Sequence, residues 1–106
     1  MKYTMAQYTV RAEKVAEVKK AIAEFLSEIR KNEPKTLYLV FREAGRHTFI
    51  HWMQFENDAA ERRHAQARYN DRFVKRLLPN CIGQAAFSEY GLLGATKKSW
   101  SLTREA

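Results

Sequence analysis

With 106 residues, 45% hydrophobic and 29% charged, the chain has the make-up of one soluble globular domain, with enough residues for a single core and too few for a second. The single cysteine, Cys81, excludes an internal disulfide and fits a reducing compartment, and no run is long and apolar enough to span a membrane. The net charge of +7 is spread over residues 11–20, 30–35, 62–76 and 97–104, the first two groups interleaved with glutamates; this reads as solvated helix faces and, with no nucleic-acid motif, argues against a nucleic-acid partner.

The opening MKYTMAQYTV goes straight into strand-like alternation and lacks the apolar core of a signal peptide, which points to a cytoplasmic protein. Residues 3–10 alternate, with Ala6, Tyr8 and Val10 on one face and Tyr3, Met5, Gln7 and Thr9 on the other, and predict a first strand. Over 13–31 the apolar residues Val15, Val18, Ile22, Phe25, Leu26 and Ile29 step by three and four between charged ones, the signature of an amphipathic helix. Asn32, Glu33 and Pro34 end it, because the residue before proline is pushed out of the helical region. Residues 36–43, TLYLVFRE, predict a second strand, and the turn Ala44, Gly45 and Arg46 joins it to a third as a hairpin.

That third strand carries Phe49, His51, Met53 and Phe55 on one side and Thr48, Ile50, Trp52 and Gln54 on the other, so both faces are largely apolar. Asn57 or Asp58 is suited to cap the next helix, with Glu61 completing a capping box if Asp58 is the cap. A straight helix from there would align Ala60, His64, Ala67, Asp71, Val74 and Leu78 and point Tyr69 and Phe73 at water. A break within 65–68 is therefore expected, turning Tyr69, Phe73 and Leu77 inward. Pro79 and Asn80 stop the helix, and 81–92 predict a fourth strand weakened by Gly83. The domain is thus expected over 1–93; the basic tail 94–106, with Trp100, is either flexible or an arm that docks on a partner.

Strand, helix, strand, strand, helix, strand is the ferredoxin-like βαββαβ arrangement, an α+β fold with a four-stranded antiparallel sheet and its helices on one face. Tyr3, Met5, Tyr38, Val40, Ile50 and Trp52 are expected on the open face, an apolar patch that a symmetric homodimer would bury sheet against sheet, giving a dimeric α/β barrel.

The run NEPKTLYLVFREA over 32–44 resembles the segment of antibiotic biosynthesis monooxygenase domains in which a helix ends at Glu-Pro and a strand of Leu and Tyr ends near an Arg. HWMQFENDAAERRH, over 51–64, resembles their strand followed by a helix with a His several residues in, and the resemblance spans 8–90. It implies a homodimer whose pocket between sheet and helices oxidises quinols, anthrones and similar aromatics with molecular oxygen, without metal, flavin or haem. The protein would supply a base, hydrogen bonds to the developing oxyanion and an apolar enclosure. Phe55 falls where many members have Trp, which removes an indole donor; His51 falls where some have a pocket Asn, His64 where a helix His is common, and Tyr69 near a His or aromatic position.

His51 and His64 are accordingly the candidate catalytic base and donor, with Tyr8, Phe49, Met53, Phe55, Tyr69 and Phe73 packing against the substrate. Phe49, Met53 and Phe55 also read simply as core, while His47, Arg72 and Lys75 read as solvated. Relatives that degrade haem use an Asn on the first strand and a Trp and an axial His on the second helix; Ala6, Gln7, Arg63, His64 and Phe73 stand in those neighbourhoods, which argues against that branch. The His and carboxylate spacing contains no compact ligand set, so no dedicated metal site is expected. The other reading of the same fold is a non-catalytic dimeric barrel that binds a small hydrophobic ligand in a regulatory or stress-response role.

Overall fold

In the computed structural model, which describes residues 1–97, the elements run β1 (Lys2–Val10), α1 (Val15–Asn32), β2 (Leu37–Arg42), β3 (Thr48–Phe55), α2 (Asp58–Gln66), α3 (Arg68–Leu77) and β4 (Cys81–Tyr90). Single 3-10 turns, Ala12–Lys14 and Leu78–Asn80, lead into α1 and β4. Trp100 and the rest of the predicted tail beyond residue 97 lie outside the described residues. The strands form one antiparallel sheet in the order β2-β3-β1-β4, the ferredoxin-like topology expected.

One face of α1 buries Val18, Ala21, Ile22, Phe25 and Ile29 against Tyr8, Val10 and Phe49 of the sheet and Phe73 and Leu77 of α3. The helical stretch after β3 is broken where its apolar pattern demanded. Ala67 is extended, with φ −70° and ψ 145°, so α3 restarts on a new phase and buries Phe73 and Leu77 with Tyr69 packed beside them. Asn57 is the cap of α2, its side chain accepting the Ala60 N–H at 2.9 Å.

Directly opposed residues share a sheet face, so the register corrects one expectation about β2. Tyr38 stands opposite Met53 and Val40 opposite His51, which turns both toward the helices and away from the open face. Leu37, Leu39 and Phe41 take their place there, opposite Gln54, Trp52 and Ile50. With Tyr3, Met5 and Tyr90 they make the open face a broad apolar surface, on which Phe41 and Tyr90 remain exposed. Gly83, at φ +74°, accompanies a shift in the β1–β4 register between Gln7 and Thr9, a bulge where a left-handed backbone favours glycine. No helix among the described residues is long and apolar enough to cross a membrane.

Candidate functional site

The alternation of β3 delivers Phe49, His51, Met53 and Phe55 to the helix side, all buried. His51, 1% exposed, stands between two tyrosines from the flanking strands: its Nε2 lies 2.7 Å from the Tyr8 hydroxyl and its Nδ1 2.7 Å from that of Tyr38. Burial pushes His51 down to about 4, with His64 nearby adding to the effect, so the ring is neutral at physiological pH. A neutral imidazole donates from one nitrogen and accepts at the other, so one tyrosine donates and one accepts. Burial raises both phenols and keeps them protonated. Neither nitrogen of His51 is left over for a substrate.

His64 belongs to a second polar group, assembled by the ends of three helices. Its Nδ1 lies 2.9 Å from Oε2 of Glu33, at the C-terminal end of α1, and the Tyr69 hydroxyl of α3 donates to the same oxygen. Burial pushes the Glu33 carboxyl up, but the hydrogen bonds from His64 and Tyr69 outweigh it and leave the group below its usual range. As a carboxylate it only accepts, which fixes a proton on Nδ1 of His64 and leaves Nε2 the free position in the neutral ring. The other carboxylate oxygen, Oε1, is buried with no partner among the described residues.

Aromatic rings connect the two groups. Phe25 and Phe73 stack in parallel with centroids 4.4 Å apart, and Phe73 meets His51 at 5.7 Å. The Tyr38 ring, whose hydroxyl holds His51, lies 5.5 Å from His64, which also touches Phe25 and Phe55. Of the residues expected at a site, His51, His64, Tyr8, Phe55, Tyr69 and Phe73 thus form one contiguous network. Phe49 stacks on the far side of Tyr8, and Met53 belongs to a small separate cluster with Ala6, Phe55 and Ala60. Two members of the network, Glu33 and Tyr38, are not evident from residue patterns: Glu33 reads as a helix end and Tyr38 as an open-face residue.

Two grooves flank the Glu33 group. One, about 260 Å³, runs between α1 and α3 and is lined by Phe25, Tyr69, Phe73 and Arg72, with an ion pair between Arg76 and Glu24 at its rim. The other, about 250 Å³, lies between the end of α1, the start of β2 and α2, and is lined by Glu33 itself.

No family model and no curated protein sequence matches the chain. Solved structures do. An antibiotic biosynthesis monooxygenase superposes with a TM-score of 0.82 at 19% identity, over 89% of this chain and 100% of its own. A Caulobacter crescentus protein provisionally given the same name superposes at 0.81 and 18%, over 88% of this chain and 90% of its own. PA3566 from Pseudomonas aeruginosa does so at 0.75 and 19%, over 88% and 94%. The chain has the antibiotic biosynthesis monooxygenase fold. At these identities the likeness concerns the fold, and the chemistry rests on this chain's own residues.

Proposed function

We propose that the protein is a cofactor-independent monooxygenase that oxidises a small electron-rich aromatic, such as a quinol or anthrone, with molecular oxygen, and works as a homodimer paired through its open sheet face. The observation that carries this reading is the hydrogen bond from His64 to Glu33, which orients the imidazole and leaves Nε2 as a base in aromatic surroundings. The fold shared with proteins named for this activity supports it. The substrate would enter from the α1–α3 groove and displace Phe25, which lines the groove and packs on His64, to bring its reacting carbon to Nε2. For an anthrone, His64 takes a proton from the ring CH2, the carbanion reduces oxygen and bonds to it as a hydroperoxide, and loss of the second C–H proton with cleavage of the O–O bond gives a carbonyl and releases water. His51, with both nitrogens bonded, acts as a positioning residue that holds Tyr38 against His64.

A second reading, a non-catalytic barrel that binds a small hydrophobic ligand, is favoured by the α1–α3 groove, whose lining of Phe25, Tyr69 and Phe73 can hold an aromatic ring while His64 stays outside it. Oxygen uptake by the metal-stripped protein with naphthoquinols and anthrones separates the two. Uptake above the spontaneous rate is expected, falling roughly 100-fold in a folded His64→Ala variant as a general base is lost. Unchanged uptake in that variant would remove His64 from the chemistry, and ligand binding with no uptake in the wild type would favour the second reading.

A further inference from the structure

We propose that Phe25 is the specificity-determining residue of the α1–α3 groove: its ring holds the place of the substrate's reacting ring, which selects substrates that react on a terminal ring over those that react on a central one. This deepens the reading of His64 as the base and rests on it. Phe25 lines the groove although it is only 3% exposed. Of the three rings in that lining, Phe25, Tyr69 and Phe73, it alone meets His64, with centroids 5.7 Å apart. It is therefore the partition between the space a ligand can enter and the imidazole.

The surroundings of the Phe25 ring are those a flat aromatic ring requires. Phe73 lies parallel to it, at 1° and 4.4 Å, and Tyr38 meets it edge to face at 83° and 5.5 Å. A substrate ring laid on the Phe73 face in its stead keeps these contacts and brings its own edge to His64. The displaced side chain has a place to go. Helical side chains lean over the preceding turn, and the residue one turn back on α1 is Ala21, which lines the same groove of about 260 Å³. Swung over Ala21, the Phe25 ring uncovers Phe73 and stays against apolar surface. The vacated place is narrow, because Tyr38 and Tyr69 stand 5.5 and 6.3 Å from the Phe25 centroid and leave the width of about one ring. A naphthoquinol presents its reacting position on a terminal ring and needs no more. In an anthrone the reacting CH2 belongs to the central ring, so two further rings must fit beside the inserted one.

The test follows ring contacts by NMR in the full wild-type chain, with 2-naphthol as the probe and oxygen excluded. The nuclear Overhauser contact between the Phe25 and Phe73 rings is expected to vanish at saturation, replaced by contacts from naphthol to the Phe73 ring and to His64. A Phe25–Phe73 contact that survives saturation, naphthol contacts that leave out Phe73, or no binding up to the solubility of naphthol would overturn the assignment. In Phe25→Leu the shorter side chain widens the place. The affinity for anthrone relative to 2-naphthol, both measured without oxygen, is then expected to rise roughly tenfold or more, the scale on which a hydrophobic pocket discriminates by size. A residue with only a packing role would weaken both ligands together, so an unchanged ratio would also overturn the assignment. The contacts are read on the wild type, so they decide the matter even if Phe25→Leu does not fold. None of these readouts involves turnover, so loss of the His64 base and loss of the ring's place are told apart.

Discussion

Acid should unfold this protein in part through one histidine. Burial, with His64 adding, holds His51 at about 4 in the native state against an ordinary value of 6.5. Between those values the unfolded chain binds a proton at this position that the native chain does not, so stability falls as the pH drops. The contribution is complete above 6.5 and is lost as the pH falls through 4. The gap of about 2.5, at ~1.36 kcal/mol each, amounts to about 3 kcal/mol, a large part of the ~5–15 kcal/mol that holds a domain together. Glu33 is also depressed, since its hydrogen bonds overcome burial, but its contribution is present above 4.5 and is lost as the pH falls through its lower native value. The upper part of the window therefore isolates His51. Urea unfolding followed across that window should show the loss in the wild type and its absence in His51→Leu, whose overall stability is lower because Tyr8 and Tyr38 lose their shared partner. Parallel losses in the two proteins between 6.5 and 4.5 would refute the reasoning.

Tyr38→Phe removes the partner of a buried His51 nitrogen and should cost about 1–3 kcal/mol, read as a lower thermal midpoint by calorimetry. If the open face pairs two copies, Leu39→Glu should weaken the dimer roughly 100-fold or more, since an unpaired charge would be buried, and sedimentation velocity would detect the monomer. Gly83→Ala places a side chain at φ +74° with open space around it, so only the backbone pays, about 1 kcal/mol, measurable as a shift in the urea midpoint.

The order of elements and the phase of most of them were legible because their apolar periodicity had one solution. The break at Ala67 followed from Tyr69 and Phe73, which could not both face water on a straight helix. For β2 the pattern had two solutions. Leu37, Leu39 and Phe41 are as apolar as Tyr38 and Val40, and a period of two says which residues travel together, not which face they take. What decides is the pairing with β3: with Met53 and His51 inward, their opposite numbers Tyr38 and Val40 must be inward too. The phenol of Tyr38 then needs a buried partner and finds it in Nδ1 of His51. A tyrosine and a histidine on neighbouring strands of a hairpin were therefore the available signal, and it needed the register to be read.

Glu33 illustrates a different limit. Its local signal was an anomaly: a carboxylate at the C-terminal end of a helix, followed by proline, where the macrodipole favours a cation. A residue so placed either points to water or has donors brought to it, and the local sequence does not distinguish the two. The donors here come from 31 and 36 positions further along the chain. They arrive only because the break at Ala67 turns Tyr69 back toward the end of α1 while His64 stays on the inner side of α2. The break that buries an aromatic thus also assembles the polar group, so a substitution that straightened α2 into α3 should loosen the hydrophobic core and unpair the carboxylate together. For that reason the site and the fold are expected to lose order as one unit.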